Sequence, residues 1–524
     1  MPTLNWIGKE KVVKHHLDVP FRILEPSYSY GNQEDTTQNK IIHGDNLEAL
    51  KSLLPEYEGK IKCIYIDPPY NTGNEGWVYN DNVNHPKIKK WLGDVVGKEG
   101  EDLSRHDKWL CMMYPRMRLL HRLLSENGAI FISADDNEIA DLRLIMDEIF
   151  GKGNFVANII WQKVYAPKNS AKYFSDDHDY IIVYARSLHD WARNLLPQTE
   201  KQKSLYKNPD NDPRGPWMSD NLSARNPYSL GKYPITTPSG RVLEGPPPGT
   251  YWRISKDKLK ELNSDNRIWW GEEGKNVPRL KRFLSEVKQG RVPQTLWKYE
   301  EVGHTQDAKK ESLALLGKEP FNTPKPVKLI DRILRIATGP DDVVLDSFAG
   351  SGTTAHAVLN LNKEDGGNRK FILVELEDYA DSITAERVKR VIDGYGSNGK
   401  EVEGTGSGFT YYELGESLFH PDGSVNKDVP IKKLREYIYF TETKKELPDN
   451  ETDNPYFIGS DDGNSYYLLH EHEKPMSLDY DFLSILVKKD EAYIIYADRC
   501  LIDEEFMRKH NIIFKKVPRD IVRF

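Results

Sequence analysis

Cysteine is scarce in this 524-residue chain: Cys63, Cys111 and Cys500 stand far apart and show no CxxC spacing. That excludes a disulfide framework and a cysteine-ligated zinc site, and it fits a reducing compartment. Long apolar runs are also missing. No stretch approaches 18 residues, so no membrane-spanning helix is expected, and the first twenty residues lack a signal-peptide core. A cytoplasmic chain with no membrane partner is the expectation. An excess of positive charge is absent too, with 73 Lys and Arg against 81 Asp and Glu. The imbalance is local, however. Residues 187–300 hold 20 basic against 13 acidic side chains, and residues 401–524 hold 16 against 25. Because a phosphate-binding surface needs positive potential only where it touches, the acidic total does not exclude nucleic acid.

What is present is a strand–helix rhythm, interrupted once. Residues 1–39 are irregular and polar, an N-terminal arm. "KIIHGDNLEALKSLL" (40–54) reads as strand, tight turn and amphipathic helix. "GKIKCIYIDPPY" is a second strand, apolar throughout, as strands buried on both faces of a parallel sheet are. Residues 71–108 read as a long mobile loop over the strand tips. Further strands and helices run to about 186. Residues 187–320 lose the rhythm, rich in Pro, Gly and Asn yet holding six of the eleven tryptophans. Disordered segments are aromatic-poor, so this is a separate, loop-rich module. The rhythm resumes over 321–398, and residues 399–524 read as an acidic, Tyr-rich accessory domain that could dock a protein partner. The expected fold is α/β: a Rossmann-like domain with a mostly parallel sheet in two halves, 40–186 and 321–398.

Two strand tips carry chemistry. In "VVLDSFAGSGTTAHAVL", Gly350 and Gly352 open a turn between strand and helix where a ligand can approach the backbone. Glu375 ends the next strand, where a carboxylate can take both hydroxyls of a ribose. No Lys-Ser/Thr follows the turn, and Ala355 stands where a dinucleotide fingerprint has its third glycine, so neither a P-loop nor a dinucleotide site is indicated. Asp346 would repel a pyrophosphate and welcome an ammonium. A ligand with ribose at one end and a positive amino acid at the other is S-adenosylmethionine.

The second tip is Asp67-Pro68-Pro69-Tyr70. An exocyclic aromatic amine is a poor nucleophile because its lone pair is delocalised into the ring. Two fixed acceptors, the Asp67 carboxylate and the Pro68 carbonyl, would favour a pyramidal nitrogen with its lone pair free. The prolines hold those acceptors in place, and Tyr70 can stack on a ring drawn out of a duplex. No metal is required, and no metal site is predicted.

Together "DPPY" and "DSFAGSGTT" resemble the signature of amino-group DNA methyltransferases, in the motif order of the β group. "YNTGNEGWVYND", "DDNE", "TPKP" and "FKKVPRD" are similar to modification subunits of Type III restriction–modification systems. The resemblance implies a site-specific adenine-N6 methyltransferase acting on double-stranded DNA, a homodimer, and a restriction subunit as partner. It also implies that Asp45 lies near the cofactor adenine, that Lys325 and Pro326 belong to the helix covering the methionine end, and that Phe348 and Thr353 line the cofactor pocket. Where the family turn commonly has Pro after its Asp, this chain has Ser347.

The family carries its target recognition where residues 187–320 fall. Arg214, Arg225, Arg241, Arg253, Arg279, Lys281 and Arg282 are the candidate phosphate or base contacts. Two other readings stay open: the same chemistry on RNA or a protein amide, and a DNA-recognition subunit serving mainly a partner nuclease.

Overall fold

The computed structural model describes residues 3–32, 38–71, 105–287, 290–317, 321, 323–396, 399, 401–420, 422–448, 454–471, 474–486 and 490–521. Most of the loop expected over 71–108 (residues 72–104) lies outside the described residues. Two compact units form, one from Met1–Asn194 with Gln294–Phe524 and the other from Leu195–Pro293.

Apolar strands organise the larger unit. β1 (Arg22–Gly31), β2 (Lys40–His43), β3 (Ile61–Ile66), β4 (Leu124–Ala134), β5 (Phe155–Gln162), β6 (His178–Ala185), β7 (Leu296–Trp297), β8 (Val343–Asp346), β9 (Lys370–Glu375) and β10 (Gly408–Ser417) make one ten-stranded sheet. Its order is β1-β10-β2-β9-β8-β3-β4-β6-β5-β7. Neighbours from β10 through β4 run parallel, whereas β6 is antiparallel to both β4 and β5. Ile64, Ile66, Leu345 and Leu373 in the middle strands are fully buried, as helices on both faces require. Those helices include α1 (Asn46–Tyr57), α2 (Arg105–Leu123), α3 (Ile139–Met146), α4 (Val327–Ala337), α5 (Thr353–Asp365) and α6 (Glu386–Asp393). α4 shows why: Leu329, Ile330, Ile333 and Leu334 recur at helical spacing and all are buried. The fold is α/β and Rossmann-like, with a mostly parallel sheet.

Register brings the two motifs together. Val344 of β8 pairs with Cys63 of β3, and Leu345 with Ile64. Parallel neighbours end at the same edge, so the residues after Ile66 and after Asp346 emerge side by side.

The boundaries differ from those read in the sequence. Part of the expected arm is edge strand β1, and the expected tail supplies β10, which lies between β1 and β2. A cut at 398/399 would remove a strand from the main sheet. Beyond it, α7 (Ile431–Thr443) and a four-stranded sheet of β11 (Phe457–Asp461), β12 (Asn464–Leu469), β13 (Ala492–Ala497) and β14 (Ile512–Lys516) follow. Their Tyr437, Tyr466 and Tyr496 share one apolar core with Leu50 and Leu54 of α1, while Tyr467, Leu469, Phe482 and Ile495 form a second core within the region itself. The smaller unit is narrower than 187–320. It holds a three-stranded antiparallel sheet (Ile268–Trp269, Arg279–Phe283, Trp217–Asn221) and a core of Leu222, Trp252, Leu259, Ile268 and Trp270.

Candidate active site

At the tip of β3, rigidity comes from sequence and from packing. Pro68 and Pro69 fix their own φ angles, and the Trp109 indole of α2 donates to the Pro69 carbonyl at 2.7 Å. Asn71, fully buried at φ 57°, donates its amide to the Arg105 carbonyl at 3.1 Å and to Glu138 Oε1 at 2.5 Å. Glu138 is the last residue of "DDNE", and its carboxylate braces the turn that follows Tyr70. Burial pushes the Glu138 carboxyl up from its usual range, against the pull of Asn71 and His106.

The two oxygens of Asp67 are treated differently. Oδ2 pairs with the Lys325 ammonium, whereas Oδ1 is buried and meets no hydrogen-bond donor among the described residues. Lys325 Nζ also stands 5.1 Å from the centre of the Tyr70 ring. The Tyr70 hydroxyl donates to Asp179 Oδ2 at 3.4 Å, and Lys163 holds the other oxygen of Asp179 at 2.7 Å. Burial raises the Asp179 carboxyl even so. Lys325, read from the sequence as part of the helix covering the methionine end of a cofactor, is therefore tied to the Asp67–Tyr70 tetrapeptide.

At the tip of β8, the Gly350 amide (φ 52°) donates to Glu375 Oε2 at 2.7 Å, and the Glu377 amide donates to Oε1 at 3.0 Å. Asp346 accepts from the Phe348 amide at 3.1 Å and from the Thr354 hydroxyl at 2.5 Å. Burial pushes both carboxyls, Asp346 and Glu375, up to about 7. Gly352, at φ 78°, has a different reason for lacking a side chain than the sequence reading supposed. A Cβ there would stand 3.0 Å from the Thr384 carbonyl oxygen, so the close approach is made by the protein's own backbone.

Both tips open into one cavity of about 600 Å³. Asp67, Pro68, Pro69, Tyr70, Lys325, Asp346, Phe348, Gly350, Thr353 and Glu375 line it. Three expected residues do not. Gly352 lies behind the turn, and Pro326 precedes the first turn of α4. Asp45 instead caps α1, accepting from the Leu47 amide at 2.7 Å and pairing with buried Arg116 at 3.3 Å. Its neighbour Asn46 faces the cavity, donating to the Ser347 carbonyl at 2.9 Å. Sequence reading also missed Trp161, Lys163 and Asp179. The available signal was a carboxylate opening an otherwise apolar strand, "HDYIIVYA". Seven carboxylates (Asp67, Asp135, Asp176, Asp179, Asp346, Glu375, Glu377) and four cations (Arg116, Lys163, Lys168, Lys325) line the wall, a balance that favours a cationic ligand over a phosphorylated one.

In the smaller unit, several expected DNA contacts are spent internally. Lys281 is buried against Asp210 and Asp212, where no phosphate can reach it. Arg214 pairs with Asp212 at 2.9 Å and Asp265 at 3.2 Å; Arg282 and Arg253 share Asp220 at 2.8 and 3.2 Å. Arg279 donates to Ser219 at 2.9 Å and Asn221 at 2.6 Å. Arg241 donates to the Lys275 carbonyl at 3.3 Å, and Arg225 is exposed with no ion pair among the described residues.

The profile of a family described as DNA methylase, covering N6 and N4 methyltransferases, matches residues 61–386. The Type III restriction-modification enzyme StyLTI Mod subunit of Salmonella typhimurium is 35% identical over 440 residues, covering 78% of this chain and 66% of that protein. The EcoPI Mod subunit of Escherichia phage P1 is 33% identical over 421 residues, covering 72% and 64%. The Type II methyltransferase M.KpnI of Klebsiella pneumoniae is 34% identical over 364 residues, covering 65% and 81%. The chain thus spans just under two thirds of the length of the Mod subunits it matches.

Proposed function

The chain belongs to the DNA methylase family, and from that premise we propose that it methylates the N6 amino group of adenine in double-stranded DNA, with S-adenosylmethionine as donor. The observation that carries this reading is Asp67: one oxygen held by Lys325, the other buried without a donor among the described residues, in the same cavity as the glycine turn. An acceptor already desolvated and unfilled suits an incoming N–H.

S-adenosylmethionine supplies an electrophilic methyl group on a positively charged sulfur, and the carboxylate-rich wall fits that charge. Phe348, Gly350, Thr353 and Glu375 would hold it, with Asn46 and Glu377 added to the sequence-derived set. Asp67 Oδ1 accepts one N–H of the target amine and the Pro68 carbonyl accepts the other, so the nitrogen lone pair turns out of conjugation toward the donor. Lys325 keeps the Asp67 carboxylate from rotating away. S-adenosylmethionine would supply the methyl group, its carbon–sulfur bond breaking to leave a neutral thioether, and Asp67 would take the proton that the nitrogen sheds along their hydrogen bond.

The names of the Mod relatives support a modification subunit that works alongside a restriction subunit; a homodimer in the cytoplasm belongs to the same proposal. M.KpnI, named a Type II methyltransferase, at comparable identity and with 81% of its length matched, supports a second reading, a methyltransferase of a Type II rather than a Type III system. Incubation with methyl-labelled S-adenosylmethionine and separate DNA, RNA and protein pools tests the assignment. Label is expected in DNA as N6-methyladenine; label on cytosine, RNA or protein overturns it.

A further inference from the structure

Residues 163–177 connect β5 to β6, and they expose what soluble surfaces usually hide. Phe174 and Tyr173 are 93% and 81% exposed, the two most exposed large apolar side chains among the described residues. Aromatic rings bury on the order of 150–250 Å² each when covered, so two left bare side by side mark a surface that another molecule covers.

The connection is tied to the cavity. Val164, Lys168 and Asp176 line the same wall as Asp67 and Tyr70. Ser175 closes the loop, accepting from the Lys168 amide at 2.8 Å and donating to Asp177 at 2.5 Å. Tyr165 packs edge-on against Tyr299, ring centres 5.2 Å apart. Charge favours a polyanion: Lys168 and Lys172 are exposed, with Lys172 Nζ 5.1 Å over the Tyr173 ring. The nearby Asp176 and Asp179 are partly offset by Lys163, at 3.3 and 2.7 Å.

We propose that Tyr173 and Phe174 form a stacking wedge that enters the DNA duplex beside the cavity and fills the place of the target adenine when it swings in toward Asp67. The inference rests on the proposed DNA-methylating function. A base leaving the duplex loses stacking on both faces. An aromatic ring delivered from the rim of the receiving cavity restores that stacking, and flanking lysines hold the phosphates. Such a wedge needs no base-specific hydrogen bond, so it acts at whatever sequence the enzyme reads.

The test compares wild type with the Tyr173→Ala/Phe174→Ala double variant and with Phe174→Trp. A duplex that wild type methylates is prepared in two forms, fully paired and with the target adenine mismatched. The double variant is expected to methylate the paired duplex at least about tenfold more slowly, to recover to within about threefold of wild type on the mismatched form, and to keep its S-adenosylmethionine affinity. Phe174→Trp should stay near wild type on both. An equal loss on both duplexes, or no loss on either, overturns the wedge. So does a loss that accompanies conversion of a dimer to a monomer in light scattering, which would assign these rings to a second copy of the chain. If wild type labels no DNA at all, the proposed function fails first and the wedge falls with it.

Discussion

Replacing Asp67 with Asn preserves the volume of the side chain and removes only its charge and one acceptor. In the native site Lys325 occupies Oδ2, and Oδ1 is buried without a donor among the described residues. The Asn amide must point its NH2 group either at the Lys325 ammonium or at the incoming target amine, and in both orientations donor meets donor. Loss of one charge-assisted hydrogen bond is worth ~1.5–3 kcal/mol, and tenfold in rate corresponds to ~1.4 kcal/mol. The chemical step should therefore slow by roughly 10- to 150-fold from the lost bond alone, and further where donors collide. Single-turnover methylation with saturating DNA and cofactor measures that step directly. Calorimetry should find cofactor affinity within about threefold of wild type, since the change is in transition-state contact. A variant rate within about threefold of wild type would refute the assignment of Asp67 as the acceptor.

Burial pushes Asp346 and Glu375 up to about 7 from ordinary values of 3.8 and 4.5, so the ligand-free fold retains protons that the unfolded chain releases. Stability is then greatest below about pH 4 for these two groups and falls as pH rises toward 7, by at most about 4 kcal/mol for Asp346; thermal melts from pH 5 to 8 should show the decline, and Asp346→Asn should flatten it. S-adenosylmethionine, being cationic, should bind more tightly at pH 8 than at pH 6, with Glu375→Gln reducing the difference in calorimetric titrations. Gly352→Ala forces a Cβ toward the Thr384 carbonyl at a left-handed φ, and denaturant unfolding should report a loss of at least ~1–2 kcal/mol. Lys281→Ala removes the buried cation between Asp210 and Asp212 while Arg214 still pairs with Asp212, so it should destabilise the smaller unit by ~1–3 kcal/mol. Arg225→Ala should leave the melt unchanged and lower the salt dependence of DNA binding by about one ion.

That the Asp-Pro-Pro-Tyr tip and the glycine turn stand at strand ends was legible because each is a contiguous stretch. Proline rigidity, a carboxylate ending an apolar strand and paired glycines are local signals. What distance decides was not legible. Lys281 looks like any surface cation until Asp210 and Asp212 close around it, and Lys325 looks like a cofactor contact until it meets Asp67. Asp45 was expected near a cofactor adenine; in the fold its oxygen caps α1 at the Leu47 amide, and Asn46 faces the cavity. β10 was hidden for another reason. Its burial alternates poorly after Tyr411, because it sits near a sheet edge rather than at the centre, and an isolated Tyr-rich stretch gave no hint that it pairs with β2.

The pairing of Cys63 with Val344 has a consequence for how the molecule comes off the ribosome. The strand bearing Asp67 is made early, but the neighbour that completes its cleft emerges only after the intervening unit has been synthesised. An interrupted nascent chain would carry the tetrapeptide without the turn that faces it, and abortive translation would yield fragments with half a cleft.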